Sequence, residues 1–215
     1  MFSIISKIII IVEHFFYNIF IFSLECCFLL RYPFLLKVRL LLNSFYFSHK
    51  EINPDDQSDF IYGETPMFTM AQMLSIAKVK DNQHFYDLGC GKGNNLFVAY
   101  CLNKLKPKGI EQNSSLLNVG KSIAKVLNVN SMSFSVNDFL NEDLSAADII
   151  YIAGTSFEDE TINNLSKKSE TELKKGSIVI TLSYPLQSSI FNVFLKKKMF
   201  LSWGRTMVYF QKKRS

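Results

Sequence analysis

The residue types that most often carry metal or redox chemistry are scarce in this sequence of 215 residues. It has four cysteines and three histidines. The cysteines form no C-x-x-C motif, and the histidines lie far apart along the chain. The sequence therefore indicates neither a metal site nor a disulfide framework, and reduced thiols are typical of a cytosolic catalytic domain.

A strong excess of charge is also absent. Lysine and arginine number 24 against 19 aspartates and glutamates, a formal net charge of +5, which is too diffuse to indicate a specific nucleic-acid partner. The run Lys196-Lys197-Lys198 is more typical of a solvated strand than of a nucleic-acid or membrane-surface patch. The apolar content of 48% suffices for one domain of about 100 to 200 residues with a short appendage.

One long hydrophobic run stands apart from the rest, over residues 8–30. A helix of that length spans a bilayer. His14, Asn18 and Glu25 fall near one helical face, so the same segment can instead lie on a membrane surface or pack on a protein. A misassigned start or a cleaved signal is a third alternative.

A positive cluster follows this run, whereas a single lysine precedes it. This asymmetry predicts that the C-terminal side stays cytoplasmic. We therefore expect a cytoplasmic catalytic domain that is associated with a membrane through residues 8–30. The positive residues are Arg31, Lys37, Arg39 and Lys50.

The composition divides the chain into three parts. Residues 1–50 form an apolar helical segment, either a membrane anchor or interfacial helices. Residues 51–59 form an acidic linker with a turn at Asn53-Pro54-Asp55. Residues 60–215 form the catalytic domain.

The most distinctive motif is Asp87-Leu88-Gly89-Cys90-Gly91-Lys92-Gly93, between a predicted strand and a predicted helix. Glycine lacks a Cβ and tolerates positive φ, so alternate glycines build a turn that can approach a ligand closely. A dinucleotide fingerprint needs glycine where Asn94 stands, and Asp87 would repel a pyrophosphate but attract a cation. The motif resembles motif I of the class I S-adenosylmethionine-dependent methyltransferases, which implies S-adenosyl-L-methionine as cofactor.

Residues at the ends of the second and third predicted strands agree with that resemblance. Glu111 lies 18 residues beyond Gly93, near the offset at which such folds bind ribose hydroxyls, although a solvated acid beside a helix cap is the alternative. The resemblance implies that Asp138 binds the adenine amino group and that Phe139 lies on the ring. The cofactor-binding residues predicted are Tyr62, Glu64, Thr65, Asp87, Gly89, Gly91, Gly93, Asn94, Glu111, Gln112, Asn137, Asp138, Phe139 and Gly154.

A second segment precedes the first predicted strand. Tyr62-Gly63-Glu64-Thr65 stands before a helix predicted over residues 67–77. We call these four residues the lid segment, because we expect them to fold over the cofactor as a lid, with Glu64 facing the ligand ammonium and Thr65 capping the helix that Pro66 opens. A structural turn and cap alone is the alternative.

Tyr62-Gly63-Glu64-Thr65 resembles the cofactor loop of the non-SET protein-lysine methyltransferases of the disruptor-of-telomeric-silencing type. The resemblance covers about residues 59–211. It extends to Ser202-Trp203-Gly204-Arg205 and Val208-Tyr209-Phe210, and implies that Trp203 and Tyr209 line the channel for a target lysine. A core filler is the alternative for Trp203.

The chain departs from that family after the fourth predicted strand. Two asparagines are replaced within Ala153-Gly154-Thr155-Ser156-Phe157, where the last phenylalanine is kept. The family's basic nucleosome-binding extension is also missing, so a histone substrate does not follow. The pattern looks closer to small prokaryotic or organellar relatives with an apolar N-terminus, including the lysine methyltransferases of the ATP-synthase membrane ring. The substrate-positioning residues predicted are Tyr62, Thr155, Phe157, Trp203 and Tyr209.

These features predict an α/β fold of the Rossmann-like class I methyltransferase type. We expect a mostly parallel seven-stranded sheet with helices on both faces and an antiparallel edge hairpin over residues 199–211. The expected reaction is N-methylation of a protein lysine, whose pKa burial among aromatic side chains would lower, so that no general base is assigned. The alternatives are a small-molecule or lipid methyltransferase at a membrane, and a cofactor-binding protein without activity.

Overall fold

The computed structural model of the protein describes residues 4–50, 63–154 and 157–214, with side chains described from residue 11 to residue 44 in the first range. Helices and strands alternate along the chain from residue 84 to residue 182, as in α/β folds. The helices are α1 (Ile4–Arg31), α2 (Pro33–Lys50), α3 (Met67–Ala77), α4 (Asn94–Asn103), α5 (Ser114–Val126) and α6 (Asp159–Glu172). The strands are β1 (His84–Leu88), β2 (Lys106–Glu111), β3 (Ser133–Val136), β4 (Ile149–Ile152), β5 (Ile178–Leu182), β6 (Phe191–Leu201) and β7 (Gly204–Lys213).

The strands form one sheet in the order β3-β2-β1-β4-β5-β7-β6. Neighbours among β1 to β5 pair in parallel, whereas β7 is antiparallel to both β5 and β6. The prediction of a mostly parallel sheet of seven strands that ends in an antiparallel hairpin is confirmed. The hairpin is longer than residues 199–211, because β6 begins at Phe191.

The two faces of the sheet carry different helices. Side chains alternate between the faces along each strand. Phe85, Tyr151 and Phe210 belong to a core that they share with α3, α4 and α5. Leu88 and Ile152 belong to a second core with residues of α6. The carboxyl ends of β1, β2 and β4 meet at one edge, where ligands of such sheets bind.

The two N-terminal helices form an outer layer over α3, α4 and α5. In α2, Leu35, Val38 and Leu42 are at most 1% exposed and belong to the same core as the catalytic domain. In α1, Ile21, Glu25 and Leu29 are buried at a spacing of four residues. The first fifty residues therefore pack on the catalytic domain over much of their described length.

The opposite face of α1 is apolar and open. Phe15, Phe16 and Phe22 are 61%, 63% and 69% exposed. By length and composition, residues 11–31 suffice to cross a membrane, and among them only Ile21, Glu25 and Leu29 are buried. On the docked side, the Tyr17 hydroxyl donates to the Leu201 carbonyl at 2.7 Å. The helix thus has one protein-facing stripe and one broad apolar face without a protein neighbour among the described residues.

Candidate functional site

The turn after β1 has the conformation that its glycines predict. Gly89, Gly91 and Gly93 have φ values of 81°, 53° and 83°, a region that other L-residues rarely adopt. The Gly89 and Cys90 amides both donate to the Ile110 carbonyl, at 2.8 and 3.0 Å. A Cβ on Gly89 would meet nothing within 4 Å. The turn is therefore held against the end of β2 while its Gly89 side stays open.

Two further glycines give this loop its position. A Cβ on Gly120, inside α5, would lie 2.6 Å from the Lys92 carbonyl oxygen. A Cβ on Gly109, in β2, would lie 2.6 Å from Cys90 Sγ. Neither residue was among the predicted site residues. A glycine inside a helix is the signal that could have identified Gly120, since glycine there usually has a packing reason.

Asp87 is a buried carboxylate at the end of β1. Asp87 is 1% exposed, and Asn95 Nδ2 donates a hydrogen bond to Asp87 Oδ2 at 3.0 Å. Burial raises the pKa of Asp87 to about 7, which the Asn95 hydrogen bond opposes and the Glu111 charge reinforces. A cation beside Asp87 would favour its ionised form.

Glu111 connects the end of β2 to the glycine loop. Its Oε2 accepts from the Gly91 amide at 3.0 Å and its Oε1 from the Asn113 amide at 2.9 Å. The cap of α5 is Asn113, whose Oδ1 accepts from Ser115 and Leu116. Each carboxylate oxygen of Glu111 can accept a further hydrogen bond. Asp87 and Glu111 thus place two carboxyl groups beside one glycine turn.

The loop also contains a buried amide side chain. Asn94 is 4% exposed, and its Oδ1 and Nδ2 have no hydrogen-bond partner within the described ranges. Such a group costs about 1 to 3 kcal/mol when it stays unpaired. A polar ligand at the glycine turn would recover that cost if it reached Asn94.

Lys92, within the loop, is not presented to a phosphate. Its Nζ lies 2.9 Å from Glu64 Oε1, and its side chain is 8% exposed. The charge that a phosphate-binding loop would use is therefore compensated by Glu64. With two carboxyl groups and an unpaired amide nearby, the loop fits a cationic nucleoside better than a phosphate-bearing one.

Glu64 is also paired with the N-terminal helices. Arg39 Nη1 donates to Glu64 Oε2 at 2.8 Å, and Arg39 Nη2 donates to Glu25 Oε1 at 2.8 Å. Burial by itself would raise the pKa of Glu64, but Lys92 and Arg39 together hold that pKa below its usual value. Sequence reasoning assigned Arg39 to the positive cluster after the apolar run and gave it no role in the site.

The prediction that Thr65 caps α3 was wrong. The Thr65 hydroxyl is hydrogen-bonded to the Tyr151 hydroxyl at 2.5 Å, and α3 has no side-chain cap from Pro66. Glu25 instead accepts from the amides of Met67 and Phe68, at 3.0 and 3.2 Å. A carboxylate is a stronger acceptor than a hydroxyl and complements the positive end of a helix.

The residues assigned to the adenine follow β3. Asp138 accepts from the Leu140 amide at 2.8 Å and so caps a short 3-10 helix, Phe139–Asn141. Asn137 donates to Glu142 at 3.1 Å. Phe139 is 7% exposed, with its ring 5.4 Å from that of Phe157. Gln112 is exposed. Their contacts with a cofactor stay predictions.

Trp203 lies in the turn between β6 and β7 and packs on the lid segment. A Cβ on Gly63 would lie 2.3 Å from Trp203 Cε3, so the absence of a side chain at Gly63 makes room for the indole. Trp203 Nε1 donates to Thr206 Oγ1 at 3.1 Å. Trp203 is half-buried and packs against the hydrophobic core that includes residues of α3.

Tyr209 approaches the same region from the other face of the sheet. Tyr209 on β7 is the strand partner of Thr181 on β5, which in turn is the partner of Ile152 on β4. Ile152 is the partner of Leu88 on β1, so these four residues form one row across the sheet. Leu88 and Ile152 face the α6 side, and Tyr209 shares that side because one row faces one way. The structure therefore does not place Trp203 and Tyr209 on one face, and Tyr209 shares its face with Phe157.

Three predicted residues remain: Tyr62, which precedes α3, and Gly154 and Thr155, which follow β4. Tyr62 and Thr155 lie outside the described residues. Gly154 is buried, and a Cβ there would lie 3.2 Å from Ile162 Cδ1 and 3.3 Å from Phe157 Cδ2.

Known proteins resemble the chain in sequence and in fold. The family model described as histone methylation protein DOT1 matches residues 53–198. A protein-lysine N-methyltransferase of Saccharolobus islandicus is 31% identical over 129 residues, which are 59% of this chain and 78% of the relative.

Solved structures share the fold at lower identity. An RNA methyltransferase of Salinibacter ruber, in complex with S-adenosyl-L-homocysteine, has a TM-score of 0.62 at 21% identity, covering 71% of this chain and 94% of the other. TrmN of Thermus thermophilus has a TM-score of 0.60 at 14% identity, covering 72% of this chain and 51% of its own. These two likenesses concern the fold alone.

The family match covers most of the chain, and it includes the lid segment, the glycine loop and the ends of β2 to β4. The likeness in fold to solved methyltransferase structures agrees with that match. The chain therefore belongs to the DOT1 family of histone methylation proteins, and it is a methyltransferase.

Proposed function

We propose that the protein transfers a methyl group from S-adenosyl-L-methionine to the side-chain amine of a lysine in a protein. One observation carries the proposal: a glycine turn lies between two carboxyl groups, Asp87 and Glu111, with its one lysine already paired to Glu64. The relative from Saccharolobus islandicus, described as a protein-lysine N-methyltransferase, supports lysine as the acceptor.

The cofactor supplies an activated methyl group on a sulfonium. Gly89, Gly91 and Gly93 give it backbone access, and the Asp87 carboxylate compensates its positive charge. Glu111 would bind the ribose hydroxyls with the acceptor positions that its two backbone bonds leave. Asp138 would take the adenine amino group, and Glu64 would lie towards the ammonium.

The acceptor would enter beside aromatic side chains. Trp203 and Phe157 approach the edge of the sheet from opposite faces, and Tyr209 lies on the Phe157 face. Such walls exclude water, which disfavours the charged form of an entering lysine and lowers its pKa. Catalysis then rests on orientation rather than on a dedicated base. The Gly154 carbonyl, or the hydroxyl groups of Thr155 and Ser156, would replace the family's missing amides.

We place the enzyme at a membrane surface. The apolar face of α1, with Phe15, Phe16 and Phe22, is suited to insertion at the headgroup boundary. A spanning α1 is disfavoured, because Ile21, Glu25 and Leu29 of the same helix pack on the catalytic domain.

Calorimetry with the full chain tests the cofactor. We expect S-adenosyl-L-methionine and S-adenosyl-L-homocysteine to bind, and NAD not to. The Asp87→Asn variant should bind the methionine form more weakly, whereas Asp81→Asn, at an exposed aspartate, should match the wild type. Binding of NAD in place of the sulfonium compound would refute the proposal.

Transfer of tritium from the labelled cofactor into a membrane-containing lysate tests the acceptor. The expected product is a labelled polypeptide in which hydrolysis releases methylated lysine. Label that partitions into extracted lipid would favour a lipid acceptor. Cofactor binding without any labelled acceptor would favour a binding protein.

Flotation with vesicles of phosphatidylcholine and phosphatidylglycerol tests the membrane surface. The wild type should float, and Phe16→Ser should reduce the floating fraction. Phe194→Ser removes a phenylalanine that is 43% exposed on β6 and should float as the wild type does. Equal flotation of the two variants would contradict the role of α1.

A further inference from the structure

Four charged side chains of alternating sign connect the N-terminal helices to the glycine loop. Glu25 is on α1, Arg39 on α2, Glu64 in the lid segment and Lys92 between Gly91 and Gly93. The three N···O distances are 2.8, 2.8 and 2.9 Å. Each of these N···O distances is within the range of a charge-assisted hydrogen bond, so the four side chains form one continuous series of ion pairs.

These pairs are shielded from water. The side chains of Glu25 and Lys92 are 9% and 8% exposed, and those of Arg39 and Glu64 are 21% exposed. Shielded pairs are screened far less by salt than surface pairs are. Removing one member takes away part of the charge compensation of its neighbours, so the geometry of each pair matters.

Arg39 lies on a helix that is packed firmly against the catalytic domain. Its neighbours on the same helix, Leu35, Val38 and Leu42, are at most 1% exposed and belong to the core of the catalytic domain. Its guanidinium uses one nitrogen for each carboxylate, a planar fork that a lysine ammonium cannot reproduce. Glu25, at the other end, is held by the first amides of α3.

We propose that Arg39 is a positioning residue of the cofactor site, and that the α1–α2 pair is therefore part of the cofactor-binding apparatus rather than an attachment device alone. Arg39 fixes the Glu64 carboxylate, and Glu64 fixes Lys92 and with it the glycine loop. The inference rests on the proposed function, since it takes the glycine loop as the cofactor site.

The coupling has a reciprocal consequence. If docking of α1 and α2 strengthens cofactor binding, cofactor binding strengthens their docking by the same factor. S-adenosyl-L-methionine should therefore slow proteolytic cleavage within α1 and α2 of the wild type, and it should do so much less in Glu64→Gln.

The test is a double-mutant cycle on cofactor affinity, measured by calorimetry on the full chain at a temperature where circular dichroism shows every variant folded. Arg39→Met should raise the Kd for S-adenosyl-L-methionine about tenfold, within the usual range of coupling between sites. In the Glu64→Gln background the same change should raise the Kd less than about twofold, because the carboxylate through which Arg39 acts on the glycine loop is absent.

Two further variants separate positioning from general stability. Arg39→Lys keeps the charge but loses the fork, and should raise the Kd about threefold. Lys37→Met removes an exposed charge from the same helix and should leave the Kd unchanged. If Arg39→Met fails to fold, the Arg39→Lys cycle with Glu64→Gln gives the same comparison.

Either of two results overturns the inference: a wild-type Kd in both Arg39 variants, or an Arg39 effect of equal size with and without Glu64. In both cases the wild type still binds the cofactor and the proposed function stands. A wild type that does not bind the cofactor refutes the proposed function instead.

Discussion

Replacing Asp87 by asparagine should stabilise the ligand-free protein at alkaline pH while weakening cofactor binding. Asp87 is 1% exposed, and its pKa is raised from 3.8 to about 7. An ionised carboxylate is therefore disfavoured where it stands, although the proposed cation needs it. Asparagine keeps the shape and removes the charge.

The pH dependence follows from proton linkage. Between pH 4 and pH 7 the folded protein holds a proton on Asp87 that the unfolded chain has released. The free energy of unfolding therefore falls as pH rises through this window, and the fall ends once Asp87 ionises in the folded state. From pH 5 to pH 8 the loss is about 3 kcal/mol. The Asp87→Asn variant lacks this loss, so its Tm relative to wild type should rise by roughly 6 to 12 °C over the same interval.

Urea unfolding at pH 5 and pH 8 without cofactor measures the free energy of unfolding, and thermal unfolding at the same two pH values measures the Tm. Glu142→Gln is the control, because it removes a carboxylate whose pKa is shifted in the opposite direction. Burial would raise the pKa of Glu142, but hydrogen bonds from Lys108, Ser135 and Asn137 lower it. Glu142 is thus largely ionised in both states across this range, and its loss should cost about the same at both pH values. If the advantage of Asp87→Asn does not grow from pH 5 to pH 8, Asp87 has an ordinary pKa and the reasoning fails.

Three shorter predictions concern the loop, the acceptor wall and the helix layer. Gly120→Ala places a Cβ 2.6 Å from the Lys92 carbonyl, so it should lower stability by about 1 to 3 kcal/mol and weaken cofactor binding in calorimetry. An unchanged Kd would contradict the contact. Trp203→Ala should abolish methyl transfer in single-turnover assays while cofactor affinity persists, and Trp203→Phe should retain part of the rate. Leu35→Ala, at a residue that is 0% exposed, should cost about 2 to 5 kcal/mol in urea, and a loss below about 1 kcal/mol would mean that α2 does not fold with the domain.

Local patterns predicted the parts of the fold that depend on neighbouring residues. The glycine turn follows from φ requirements within seven residues, and its positive φ values are found at Gly89, Gly91 and Gly93. The Asn113 cap depends on amides two and three residues away. The bounds of α3, Met67–Ala77, agree with the prediction because an X-Pro start and an apolar run mark them locally.

The start of β6 was harder to predict because it lies on an edge strand. Val193, Phe194 and Leu195 are each about 40% exposed, and a bulge between Val193 and Leu195 interrupts the register. Both features weaken the alternation that identifies a strand with one buried face.

Contacts between distant residues were beyond sequence reasoning, and they decide the site. Thr65 is a good capping residue by type, but Tyr151, 86 residues away, takes its hydroxyl. Trp203 and Tyr209 are close in sequence, yet the turn before Gly204 and the alternation of β7 place them on opposite faces.

Arg39 shows why sequence reasoning could not decide between a membrane element and a protein-packed element for the N-terminal helices. A cation after an apolar run has the same sequence pattern whether it faces lipid headgroups or a carboxylate of the same chain. The difference is the folded contact with Glu64, 25 residues away. Glu25 interrupts the apolar run for a related reason, since it accepts hydrogen bonds from α3 and from Arg39. A charge inside an apolar helix is therefore a reason to look for its partner in the neighbouring domain before the helix is assigned to the bilayer.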